Sequence, residues 1–367
     1  MASPAHPKGF ADMAAGSGVP YWRLSSFYFS YFASLGALIP FWGLYLKDRG
    51  FDALAIGQLT AILMATKIVA PNLWGWLADR RGRRMPIVRL ASLLSLLAFS
   101  GIFMARGFWA LALVMSLFSF FWNASLPQME AVTLSHLQSQ VRRYASIRLW
   151  GSVGFIVTVY TLGSLLDRAG PGAVPVVVWV LYLAIWLSSL WVPEQQGRRT
   201  AEAELPLRAV LGRADVAAFL LSCFLMQASH GAYYAFYSIY LQSAQYPSAT
   251  IGWLWAWGVL VEVLVFLGMH WLLERWAARQ VLLASLCLAL LRWLLTGQFV
   301  DSLAIMILAQ TLHAATFGAF HAAAVHLVHH YFVDHLQGRG QALYSSLSFG
   351  AGGAFGSLVS GYLWGQA

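Results

Sequence analysis

Eleven apolar runs, each long enough to cross a bilayer as a helix, constrain this chain more than any other feature. They lie near residues 22–46, 55–78, 86–105, 108–135, 145–166, 173–192, 215–241, 250–273, 280–298, 302–328 and 341–364. A spanning helix needs about 20 predominantly apolar residues. In lipid every backbone N–H and C=O must find a partner inside the protein, so runs of this length form helices. Only 10% of the residues are charged, against roughly 25% in a soluble domain. The expected class is an all-α integral membrane protein in a lipid bilayer.

The net charge of +9 invites a nucleic-acid reading, and its placement argues against one. Thirteen arginines, from Arg80 to Arg339, fall in alternate loops. The opposite loops hold Lys47, Arg49, Arg106 and Arg168. Basic residues concentrate on the cytoplasmic side of membrane proteins. This asymmetry puts the N-terminus, the loop after the second helix and the 193–214 segment in the cytoplasm, and the chain in a cell (inner) membrane.

The chain contains an internal repeat. Tyr45-Leu46 recurs as Tyr240-Leu241, Ile56-Gly57 as Ile251-Gly252, and Ala33-Ser34 as Ala228-Ser229, always 195 residues apart. The repeat sets the expected organisation: a flexible tail over 1–21, one six-helix bundle over 22–192, a polar cytoplasmic linker over 193–214, and a second bundle over 215–367. Membrane transporters are commonly built from such parallel repeats. The second half holds helices 7 to 11, and a twelfth helix is expected where the sequence ends. A truncated sequence and a native eleven-helix protein both fit.

The same offset relates Lys67 to Glu262, each in the middle of an apolar run. A charge at bilayer mid-depth costs at least ~2.5 kcal/mol, so an ionisable residue there points to function. Arg148, Arg292 and Glu130 complete the intramembrane set, three cations against two carboxylates. Glu130 and Arg148 lie nine residues before and after Ser139, the centre of the loop joining helices 4 and 5. An antiparallel hairpin puts them at one depth, where opposite charges tend to pair. His230 and His313 add imidazoles that can exchange a proton near neutral pH. Cys223 and Cys287 are far apart and are expected to be two buried small hydrophobes. His326, His329 and His330 read as an interfacial cluster rather than a zinc site. No metal and no cofactor is expected. With no Walker loop and no nucleophile elbow, neither ATP-driven transport nor an enzyme is indicated.

Gly75-Trp76-Leu77-Ala78-Asp79-Arg80-Arg81-Gly82-Arg83-Arg84 resembles the loop after helix 2 of the major facilitator superfamily. That resemblance implies two pseudo-symmetric six-helix bundles working by alternating access. It also implies a gating role for Gly75, Asp79, Arg80, Gly82 and Arg83, with Asp79 meeting a helix N-terminus and an arginine of a neighbouring helix. Arg148-Leu149-Trp150-Gly151-Ser152 is similar to helix 5 of lactose-permease-like proton symporters. Carried over, Glu130 and Arg148 bind substrate and couple protons, and Glu262 shares Arg148. Arg292 and His313 also match that pattern, but Thr316 stands where its carboxylate belongs. The stretches Gln227–Tyr234, Ile251–Trp255, Val261–Val263 and Leu291–Trp293 resemble the 3-phenylpropionic acid transporter group.

Those resemblances imply proton-coupled uptake of a small organic acid, such as an aromatic carboxylate, by a monomer driven by the proton gradient. Glu130, Glu262, His230 and His313 are the candidate proton-coupling residues, with His230 expected to face the central cavity. Lys67, Arg148, Arg292, Tyr31, Asn123, Gln227, Tyr234 and His321 are the candidate substrate-binding residues. A sugar or nucleoside symporter is the alternative within transport. A non-transporting assembly factor or sensor of the same fold is the second.

Overall fold

In a computed structural model the chain is described over residues 18–138, 140, 142–195, 210–333 and 336–366. Ser139, most of the linker and most of the N-terminal tail lie outside the described residues. Eleven helices are seen: α1 Tyr21–Asp48, α2 Ala53–Arg81, α3 Met85–Ser100, α4 Phe108–Leu137, α5 Arg142–Ala169, α6 Val174–Trp191, α7 Ala214–Ser243, α8 Ser248–Arg275 and α9 Ala278–Gln298. Two more are interrupted. Helix α10 runs Leu303–His313, passes through a π-turn over Ala314–Ala319 and resumes as Phe320–Tyr331. Helix α11 runs Gln337–Ser345, passes through a π-turn over Ser346–Gly352 and resumes as Gly353–Trp364. Among the described residues, ten of these helices are long and apolar enough to cross a membrane. The glycines and serines of α11 lower its hydropathy, so it is not among the ten.

Local chemistry sets the helix ends. Asp52 accepts a hydrogen bond from the Ala55 N–H at 2.8 Å and caps α2. Gly82, at φ +66°, ends the same helix in the left-handed region that only glycine enters freely. At α3 the cap comes from a distance. The Glu194 carboxylate accepts from the N–H groups of Arg84 at 3.2 Å and Met85 at 3.0 Å. Arg89 in turn donates to the carbonyls of Ser189 and Val192 at the end of α6. The start of the linker is thus fastened to α3 by groups that both helix ends would otherwise leave unpaired.

In the first bundle α1 packs against α5 and α6, α3 against α4 and α6, and α2 against α4. In the second, α7 packs on α11, and α8 and α9 on α10. The bundles meet mainly where α1 packs on α7, α2 on α11, and α5 on α8. Helices α2 and α8 therefore occupy opposite sides of the interface. Leu264, Leu267, Leu290, Leu294 and Trp109 are exposed on the outer surface. In water so much bare apolar surface would drive association, and it suits lipid contact.

The interface is closed at the end whose loops are poor in arginine. There Lys47 Nζ donates to Gln242 Oε1 at 3.5 Å, and Asp167 accepts from the backbone of Ser248 and Ala249. Glycines let the backbones meet. A Cβ on Gly57 would lie 2.6 Å from the Ser357 carbonyl, and one on Gly252 would overlap that of Val159. Close helix contact through small residues is the usual device in membranes, where lipid competes for every apolar side chain. Toward the arginine-rich end, the hydrogen bonds crossing the interface among the described residues stop at Asn72 and Ser346.

Candidate functional site: an intramembrane charge cluster between two bundles

Arg148, on α5, stands at the centre of the interface. It is near enough to interact electrostatically with Glu130 of α4, Glu262 of α8 and His321 of α10, which come from both bundles. Its guanidinium lies over the Phe32 ring at 3.7 Å and reaches the Tyr28 ring at 5.8 Å. A guanidinium face on an aromatic ring is attractive, more so when desolvated. The expected direct pair with Glu130 is not formed. Among the described residues no salt bridge within 4.0 Å involves either group. Glu130 Oε1 accepts instead from Tyr144 Oη at 3.4 Å. The stacking on Phe32 holds Arg148 toward α1, and equal spacing from the loop between α4 and α5 does not bring the two charges into contact. Glu262 likewise feels Arg148 but makes no direct pair with it.

Glu262 points toward α10. Its Oε2 lies 3.9 Å from His313 Nε2, with side-chain exposures of 15% and 7%. The π-turn after His313 shapes this contact. Gly318 lies within the turn, and a Cβ there would come 2.9 Å from Glu262 Cγ. Wider turns of this kind recur at functional sites because they displace the helix wall locally.

His230 does not face the cavity between the bundles. It is 0% exposed, and its ring neighbours Tyr233, Tyr234, Trp293, His313 and Phe317 all belong to the second bundle. Arg292 Nη1 donates to its Nε2 at 3.1 Å and to Thr316 Oγ1 at 3.2 Å. Arg292 is 1% exposed, and its guanidinium lies against both the Tyr233 and Trp293 rings, at 4.5 and 4.3 Å. The helical turn that carries Gln227-Ala228-Ser229-His230 presents the imidazole to α9 and α10 rather than to α1 and α4.

Among the described residues Lys67 has no carboxylate within 4.0 Å; its Nζ rests 3.6 Å from the Met64 sulfur. One residue earlier, Thr66 accepts from Asn123 Nδ2 at 2.9 Å and donates to Ser119 Oγ at 2.9 Å. Asn123 thus joins α2 to α4 beside Lys67. Gln227 accepts from Tyr234 Oη at 3.3 Å, and His321 Nδ1 pairs with Tyr344 Oη at 2.8 Å. Tyr31 is 4% exposed and stacked on Trp122 at 5.0 Å, inside the first bundle.

In the Gly75–Arg84 loop, Asp79 pairs with Arg84 at 2.5 Å, and Arg84 also donates to Gln128 Oε1 at 2.5 Å. The arginine comes from the same loop, five residues on, and not from a neighbouring helix as expected. The carboxylate at the α3 N-terminus is Glu194 and not Asp79, because the salt bridge turns Asp79 toward the Arg84 side chain. Arg80 lies over the Trp76 ring at 4.0 Å, and Gly75 leaves contact space for Gln128. Arg83 is exposed.

Cys223 is buried, but Cys287 is exposed on α9, contrary to the expected burial of both. Its outward position places a small hydrophobe at the lipid surface. Among the described residues no group of three or more His, Cys, Asp or Glu is placed to hold a metal ion. Phe32, Tyr144, Thr66 and Tyr344, the partners of the ionisable groups, were not legible beforehand. They are ordinary aromatic and hydroxyl residues in apolar runs, and only their contacts distinguish them.

The comparisons with known proteins agree with this architecture. The model of the MFS_1 like family matches residues 21–367. The "Probable 3-phenylpropionic acid transporter" of Escherichia coli (strain K12) is 31% identical over 350 residues, spanning 92% of this chain and 89% of its own length. The "Maltose permease" of Geobacillus stearothermophilus is 26% identical over 344 residues, spanning 92% and 86%. The crystal structure of the nucleoside transporter NupG superposes with a TM-score of 0.81 at 19% identity, covering 94% of this chain and 91% of that one. With its multi-pass membrane fold, this chain belongs to the MFS_1 like family, within the major facilitator superfamily of transporters.

Proposed function

We propose that this chain takes up a small organic anion, an aromatic carboxylate in the first instance, together with a proton, by alternating access. The observation that carries the reading is Lys67, an ammonium in the middle of α2 with no carboxylate within salt-bridge distance among the described residues. An intramembrane cation left unpaired is costly, and a substrate carboxylate would compensate it. Arg148, between the bundles, supplies a second cation, and its platform on Phe32 and Tyr28 offers aromatic surface beside it. The relative named as a 3-phenylpropionic acid transporter supports the same substrate class. Glu262, facing His313 of α10, is the first candidate for the proton, with Glu130 beside Tyr144 the second.

Sidedness follows from the arginines. In this reading the arginine-rich end and the N-terminus are cytoplasmic, the membrane is a cell (inner) membrane, and the closed end faces outward. The protein works as a monomer.

A neutral sugar or nucleoside is the second reading, favoured by the likeness to a maltose permease and to the nucleoside transporter NupG. Electrical recording on proteoliposomes separates the two. A monoanion carried with one proton moves no net charge, so aromatic-acid uptake that is proton-driven and silent electrically supports the proposal. A sugar or nucleoside that evokes an inward current, with no response to aromatic acids, overturns it.

A further inference from the structure

We propose that Asp167 is a latch between the two bundles: its carboxylate caps helix α8 from the other side of the interface and so favours the conformation closed at the arginine-poor end. Asp167 lies in the last turn of α5. Its Oδ1 accepts from the Ser248 N–H at 2.7 Å and its Oδ2 from the Ala249 N–H at 3.0 Å. These are the first two residues of α8, whose N-terminal N–H groups have no partner within the helix. The residue at the cap position is Pro247, which offers no side-chain acceptor.

The internal repeat makes the contrast plain. Helix α2 is the repeat-equivalent of α8, and Asp52, which precedes Pro247 by the same 195 residues, caps α2 from within its own chain segment. The first bundle therefore holds its own cap, and the second borrows one. The borrowed cap is delivered by close packing. One turn before Asp167, a Cβ on Gly163 would lie 2.5 Å from the Ser248 carbonyl. At the repeat-related cross-bundle contact, α2 with α11, the helices meet through Gly57 and Gly361. Among the described residues no side chain caps a helix across that contact.

Opening this end requires α5 and α8 to part, which leaves the first turn of α8 without its acceptor. A cap by Asp, Asn or Ser favours the capped state over an alanine variant by about fivefold. The negative charge at a helix N-terminus adds to that. The latch thus biases an equilibrium and does not depend on which solute is carried.

Distance measurement between spin labels tests it. Labels at Arg106→Cys and Asp301→Cys, on exposed loops of the two bundles, read the separation of the arginine-poor ends after the exposed Cys287 is changed to Ser. In the full chain in liposomes, Asp167→Ala should raise the long-distance population about fivefold, and Asp167→Asn, which keeps one acceptor, should raise it less. Pro247→Asp gives α8 a cap of its own in both states. In that background Asp167→Ala should have little further effect. An unchanged distribution in Asp167→Ala overturns the proposal. So does a shift of equal size with Pro247→Asp present, because Asp167 would then act other than as a cap.

Discussion

Arg292 donates to Nε2 of His230 at 3.1 Å, while Nδ1 of the same ring lies 2.9 Å from the Met226 carbonyl. A carbonyl only accepts and a guanidinium only donates, so the proton of this imidazole belongs on Nδ1 and the lone pair on Nε2. The ring is neutral and fully committed. Adding a proton would set two cations against each other in a site with 0% exposure at the imidazole. His230 therefore serves as a neutral acceptor that holds Arg292.

His230→Ala should then destabilise the protein without removing proton coupling. An acceptor for a buried charge contributes about 1.5–3 kcal/mol. Thermal unfolding in detergent should show the loss, and proton-driven uptake by the surviving folded fraction should keep its pH profile. A vanished coupling at unchanged stability would contradict this account of the ring.

Glu262→Gln should behave in the opposite way. The carboxylate faces His313 at 3.9 Å across the interface between α8 and α10. The amide keeps its size and cannot carry the proton. Accumulation against a gradient should be abolished while counterflow persists, measured with labelled substrate in proteoliposomes. Retained accumulation would move the proton to Glu130.

Gly318→Ala probes the seat of that carboxylate. The new methyl would come 2.9 Å from Glu262 Cγ and displace the side chain from its rotamer. Off-rotamer side chains cost on the order of 0.5–1.5 kcal/mol, so uptake should fall roughly two- to tenfold with expression unchanged. Uptake at the wild-type rate would show that the π-turn does not position Glu262.

Lys67→Gln should weaken binding of aromatic carboxylates by roughly ten- to a hundredfold, the value of a charge-assisted hydrogen bond. Binding of neutral analogues should change little, and Lys67→Arg should restore part of the loss. Equilibrium binding by calorimetry reads both. An equal loss for charged and neutral ligands would mean that Lys67 supports the fold and not the anion.

Glu194→Ala removes the cap that joins the linker to α3. Unfolding should become easier by about 0.5–2 kcal/mol, with the substrate Kd unaltered. A changed Kd with unchanged stability would assign Glu194 to gating.

The sequence by itself determined that this chain is an all-helical multi-pass membrane protein, that short motifs recur in its two halves, and which ionisable residues fall in the middle of apolar runs. Those properties depend on length, apolar content and spacing along one chain, and lipid leaves the backbone few choices. The family resemblance was equally legible, since the loop from Gly75 to Arg84 is read residue by residue. Tertiary structure alone decided which charges meet. Glu130 and Arg148 are close enough to interact electrostatically, yet Arg148 lies on Phe32 and Glu130 turns to Tyr144. His230 is mid-helix as expected, yet it faces Arg292 inside the second bundle. Asp79 lies beside a helix start, yet Glu194, 115 residues away, caps it. Depth is fixed by distance along the chain, whereas azimuth depends on how each helix is rotated against its neighbours, and that rotation is set by packing.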